Sequence, residues 1–103
     1  MNLTLLMTWD IRPDMEQDYF TFVMGEWVPA VQDIGLRLAA AWFTYYRKDY
    51  TVPSIRVELL AESEEEMRDA LTNERWKELQ RDLRAYVRNY TQKVVETTGD
   101  YRL

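Results

Sequence analysis

Two extended stretches decide the fold: NLTLLMTWDI at residues 2–11 and LRLAAAWFTYY at residues 36–46. In the first, Leu3, Leu5, Met7, Trp9 and Ile11 share one face of a strand, and the other face still carries Leu6. In the second, Leu36, Leu38, Ala40, Trp42 and Tyr46 alternate with Ala39, Ala41, Phe43 and Tyr45. A sheet with one wet face shows apolar and polar residues in strict alternation. These stretches do not, so both of their faces are expected to be covered. The chain has too few helices for that, and a second copy of the same sheet is the expected cover.

The segments around them follow from local rules. After the first strand, Pro13 suits a first helical turn, and Asp14 and Glu16 complement the helix dipole. Met15, Tyr19, Phe22, Val23, Trp27, Ala30, Val31 and Ile34 recur at helical spacing and mark one buried stripe. Pro29 interrupts it, because its ring clashes with the carbonyl of Gly25, so a kink or a restart of the helix is expected near residues 26–28. Gly35 is the expected left-handed cap. A polar connection at residues 48–54 leads from the second strand to a third at residues 55–62, where Ile55, Val57, Leu59 and Ala61 alternate with Arg56, Glu58, Leu60 and Glu62. Ser63 with Glu66 reads as a capping box opening a short helix, and Asn73 as the cap of a second helical segment. That segment carries Trp76, Leu79, Leu83, Tyr86 and Tyr90 on one face. The β-branched Val94, Val95, Thr97 and Thr98 place a fourth strand at about residues 92–98.

The 103 residues predict a single domain, 47% hydrophobic and 14% aromatic, well away from disorder. A net charge of −5 argues against nucleic acid, and the third strand lacks the exposed aromatics that RNA-binding sheets use. No apolar run approaches the ~20 residues of a membrane span. The first residues lack the basic region of a signal peptide, so the cytoplasm is the expected location. The chain contains no His and no Cys. Ser–His triads, Cys nucleophiles and ordinary structural zinc sites are therefore excluded, and a catalytic base would have to be a carboxylate, Lys or Tyr. The run Glu64–Glu65–Glu66 does not converge on a metal, because consecutive helical positions diverge.

The order β-α-β-β-α-β describes a ferredoxin-like α+β unit with a four-stranded antiparallel sheet. Trp27–Val28–Pro29–Ala30 followed by Gly35–Leu36–Arg37, and the broken second helix from Glu64–Glu66 through Asn73–Glu74–Arg75–Trp76, resemble the dimeric α/β-barrel superfamily. That group includes antibiotic-biosynthesis-type monooxygenases, stress-responsive barrel proteins and NIPSNAP-like proteins. The resemblance implies a homodimer of face-to-face sheets with helices outside and ligands between sheet and helices. It also implies, for some members, cofactor-free oxidation of polycyclic aromatic compounds. Haem-degrading relatives use an Asn, a Trp and a His. Here Gln80 holds the corresponding helical position and Ala70 lies where the Trp belongs, so haem degradation is not implied.

The ligand-pocket candidates are Trp9 and Asp10 at the end of the first strand, Trp42 and Tyr45 in the aromatic cluster, Arg37 and Arg56 as strand charges, Asn73 and Trp76 at the helix break, and Tyr86. Each also has a plain structural use: the aromatics as core, the arginines as partners of Glu58, and Asn73 as a cap. No catalytic residue is assigned, and no cofactor or metal is expected. Two functions compete. One is a cofactor-independent monooxygenase acting on a hydrophobic or aromatic compound; the other is a non-catalytic barrel binding a small metabolite or serving in stress response.

Overall fold

The computed structural model describes residues 2–43 and 55–97. Its sheet is built from β1 (Leu3–Ile11), β2 (Arg37–Phe43), β3 (Ile55–Ala61) and β4 (Val87–Glu96), in the order β2-β3-β1-β4. All three pairings are antiparallel. Two helical runs cross over between the strands: α1 (Glu16–Phe22), a π-turn (Val23–Trp27) and α2 (Val28–Asp33), then α3 (Glu64–Thr72) and α4 (Glu74–Leu83). Alternate residues of the two central strands, Leu5, Met7 and Trp9 of β1 and Val57 and Leu59 of β3, bury against the helices. Tyr19, Phe22, Trp27 and Val31 meet them from the first run, and Met67, Trp76, Leu79 and Leu83 from the second. This is the expected ferredoxin-like α+β architecture.

Local chemistry explains the joints. Pro29 offers no N–H to the carbonyl of Gly25 and would collide with it, so the helix widens there. The Val28 N–H reaches back five residues to the Val23 carbonyl, and the kink takes the form of a π-turn. Gly35 sits at φ 105°, with its N–H on the Gln32 carbonyl and the Leu36 N–H on the Val31 carbonyl at 3.1 Å each. That is a Schellman cap, closed by the fully buried pair Val31 and Leu36. The Ser63 hydroxyl accepts the Glu66 N–H at 3.1 Å, while the Glu66 carboxylate reaches back to the Glu62 N–H, one residue beyond the expected partner. Asn73 caps α4 through the Arg75 N–H at 2.8 Å.

Two expectations are corrected. First, α4 ends at Leu83, and β4 begins at Val87 instead of residue 92. Tyr86 therefore lies in a turn and Tyr90 on a strand, although their spacing continues the helical stripe. Pairing with the otherwise open edge of β1 satisfies a whole row of backbone groups, and that outweighs the side-chain period. Asn89, at φ 58°, makes a bulge opposite Trp9 that carries the strand past a shift in register. Second, the far face of the sheet is mixed, not apolar. Register aligns Thr4 with Leu60 and Val95, Leu6 with Glu58 and Lys93, and Thr8 with Arg56 and Thr91. Thr4 and Glu58 are almost fully buried. The Thr4 and Thr97 hydroxyls bond at 2.7 Å, those of Thr8 and Thr91 also bond, and Glu58 pairs with Arg56 at 3.3 Å. Single-strand patterns missed this, because polar residues from three different strands meet only once the register is set.

Candidate functional site

Gln80 is the least expected buried residue. It follows Trp76 by one turn of α4 and is 7% exposed. A buried amide must find partners for both ends. The indole of Trp27, held inward by the π-turn, has an N–H that can only donate, so the Gln80 oxygen faces it at 2.8 Å. The Gln80 amide nitrogen then faces β4 and donates to the Tyr90 hydroxyl. With its oxygen occupied in that way, Tyr90 passes its own proton to the side-chain oxygen of Gln92, its neighbour on the same face of β4. The result is one directed chain from Trp27 through Gln80 and Tyr90 to Gln92. Such chains strengthen each of their bonds.

Aromatic rings hold it in place. Tyr90 lies parallel to Trp9, with centroids 5.8 Å apart, and Trp9 meets Trp27 edge-on at 5.9 Å. Trp76 leans on Trp27 at 6.5 Å. The Trp9 indole N–H donates to the Tyr19 hydroxyl at 2.9 Å, and the Arg84 guanidinium sits 5.2 Å from the Tyr90 ring. Burial pushes the Tyr90 phenol up to about 12, against the opposing pull of the Gln80 hydrogen bond and the Arg84 charge. Burial likewise raises Tyr19 to about 12, against its bond from Trp9. Both phenols remain protonated at neutral pH and are not bases; Tyr90 donates to Gln92, and Tyr19 accepts from Trp9.

The chain forms one wall of an open groove of about 830 Å3 between α4 and β4. Trp76, Tyr90 and Leu71 supply ring and methyl surface, while Lys77, Arg81 and Arg84 supply three positive charges. Among the described residues no carboxylate lines it, in a chain whose net charge is −5. Glu74, just outside, pairs with Lys77 at 3.4 Å. A second recess of about 220 Å3 lies across Trp27, between the first helical run and β2 and β3. Its walls are almost wholly apolar, with Phe20, Met24 and Leu38 partly open to solvent.

The candidates from sequence scatter around this centre. Trp76 lines the groove, and Trp9 lies buried beneath it as the stacking partner of Tyr90. Asp10 is on the opposite face of β1, where it accepts from the Asn89 amide at 2.9 Å. Arg56 is also on that face, paired with Glu58. Arg37 does not join that pair; it reaches Glu62 at 3.8 Å, exposed on the edge strand. Asn73 is an exposed cap, and Tyr86 packs on Phe22 with centroids 5.3 Å apart. The backbone of Trp42 pairs with Arg56, but its side chain and the whole of Tyr45 lie outside the described residues. The residues that sequence reasoning missed as a site are Trp27, Gln80, Tyr90, Gln92 and Arg84. One signal was available: Trp76, Gln80 and Arg84 are four residues apart, which sets a glutamine into an aromatic-to-basic stripe. Among the described residues, no cluster of acidic side chains could hold a metal ion, and no helix is long and apolar enough to cross a membrane.

No family model matches the chain, and no curated protein matches its sequence. Solved structures do match its fold. A NIPSNAP family protein from Agrobacterium tumefaciens superposes with a TM-score of 0.72 at 16% identity, covering 100% of this chain and 99% of the other. A mutant of SnoaB, a cofactor-independent oxygenase from Streptomyces nogalater, gives 0.71 at 11% identity, over 99% and 98%. A dimeric protein of unknown function with a ferredoxin-like fold, from Bacteroides fragilis, gives 0.63 at 10% identity, over 93% and 96%. At these identities the likeness is one of fold. At that level it agrees with the resemblance to NIPSNAP-like and oxygenase-type barrels.

Proposed function

We propose that this protein is a homodimeric α/β barrel that binds a small hydrophobic or aromatic compound in the groove between α4 and β4. The observation that carries the reading is the directed hydrogen-bond chain from Trp27 to Gln92. It holds a buried amide and a protonated phenol at the wall of an aromatic, positively charged groove. Core packing alone has no need of that arrangement, since apolar side chains of the same shape would fill the space without a desolvation cost. The homodimer is supported by the far face of the sheet. There Leu6 and Leu60 lie among paired charges and hydroxyls, which suits a self-complementary surface. The dimeric neighbour of the same fold supports it as well.

Titration with planar ring compounds tests the binding, followed by tryptophan fluorescence and thermal shift. Trp76 and Trp27 should report occupancy, and Tyr90→Phe should weaken it about tenfold. Absence of any response across neutral and charged ring compounds overturns the reading. Sedimentation tests the assembly: the native protein should run as a dimer at micromolar concentration and Leu6→Asp as a monomer. A monomeric native protein sinks the barrel.

A catalytic form of the reading is favoured by one observation. The guanidinium groups of Arg81 and Arg84 and the Lys77 ammonium suit a negatively charged oxygen on a bound ring. A substrate whose own enolate reacts with oxygen would need no cofactor, and the Streptomyces neighbour is a cofactor-independent oxygenase. Oxygen uptake with polycyclic phenols, compared between native protein and Tyr90→Phe, separates enzyme from binding protein.

A further inference from the structure

We propose that the groove selects an anion carried on a planar ring, an aromatic carboxylate or enolate, and that Trp27 sets this preference as a positioning residue by fixing the direction of the Gln80–Tyr90 hydrogen bond. The inference rests on the binding function proposed above and names the ligand class for that same site.

Donors and acceptors decide the polarity of the groove. An indole N–H only donates, and Trp27 is 1% exposed, so no water competes for it. If the Gln80 amide were flipped, its NH2 would meet the indole N–H donor to donor, and two buried polar groups would lose their partners. The observed orientation is therefore forced. It obliges Tyr90 to accept from Gln80 and to point its proton outward, onto Gln92. Gln92, at the groove wall, then has its oxygen occupied and its amide N–H groups left to offer. The remaining charged groups, Lys77, Arg81 and Arg84, are donors without acceptor capacity. A hydrogen-bond acceptor with negative charge is complementary to all of them. A ligand that offers donors would face N–H groups. Aromatic carbon of Trp76 and Tyr90, with Leu71 beside it, makes this wall apolar and adds the preference for a ring. The three cations favour an anion at the groove itself; the direction of the neutral groups beside them is decided two hydrogen bonds away, at Trp27.

The test is a matched pair of probes, 2-naphthoate and 2-naphthamide, titrated into the whole protein by tryptophan fluorescence and calorimetry. The native protein should bind the acid at least about tenfold more tightly than the amide, with the difference shrinking as salt rises. Tyr90→Phe should reduce that preference severalfold, and Trp27→Phe, which keeps an aromatic ring and removes the N–H, should reduce it equally. The double variant should lose no more than either alone, because the two residues act through one chain. Gln80→Glu gives an independent check that conserves shape. Its carboxylate accepts from both neighbours, turns the Tyr90 proton inward and should narrow the preference for the acid at least as far as Trp27→Phe does. Equal binding of acid and amide by the native protein overturns the selectivity while leaving the binding function intact. Failure of both probes to bind overturns both. If Tyr90→Phe lowers the preference and Trp27→Phe leaves it unchanged, the role of Trp27 is refuted even if that variant is less stable, because the readout is a ratio.

Discussion

Burial of two phenols makes a specific demand on stability in alkali. Tyr19 and Tyr90 each hold their proton to about 12 in the folded chain, against 10.0 when unfolded. Above pH 10 the unfolded chain has released protons that the folded chain still binds, so stability falls as pH rises. The contribution is fully present below pH 10 and is lost progressively between pH 10 and 12. A shift of this size corresponds to about 2.7 kcal/mol for each phenol. Together that is a large share of the ~5–15 kcal/mol expected of a small domain. Tyr90→Phe should cost about 1 kcal/mol at pH 8, because it strands the Gln80 amide nitrogen. It also removes one of the two alkaline penalties. Urea-unfolding free energies for native protein and variant, plotted against pH, should therefore cross at about pH 11, with the variant more stable above that point. Parallel curves from pH 8 to 12 would show that Tyr90 titrates as a solvated phenol, and the account of the buried hydrogen-bond chain would fail with it.

Other outcomes follow from the joints and the core. Gly35→Ala should destabilise by about 1 kcal/mol in urea unfolding: a Cβ there meets nothing within 4 Å, so the cost is the left-handed backbone alone. Ser63→Ala should cost about 1 kcal/mol and Ser63→Asp almost nothing, since the aspartate restores an acceptor for the Glu66 N–H. Gln80→Leu should lower stability by about 1–3 kcal/mol, because it leaves the Trp27 indole N–H buried without an acceptor. A Gln80→Leu protein as stable as the native one would show that water already reaches that indole.

The legible part of the chain was everything with a local cause. Pro29 demands a distortion in the turn that follows Gly25, Gly35 demands a left-handed end, and Ser63 and Asn73 offer acceptors where a helix has spare N–H groups. Together with the strand alternations these determined the element order, and the order determined the ferredoxin-like class. The end of α4 had no such marker. Tyr86 and Tyr90 continue its stripe, and only the presence of β1 alongside, in need of a partner, turns residues 87–96 into a strand. The character of the far face and the site depended on the same kind of distant meeting. Glu58, Thr4 and Lys93 look like isolated polar interruptions until register sets them side by side. Trp27, Gln80 and Tyr90 come from three separate elements, so no spacing along the chain could relate them. Caps and periods depend on neighbours within a few residues and can be read directly. The direction of a hydrogen-bond chain depends on which donor faces which acceptor, and only tertiary packing decides that.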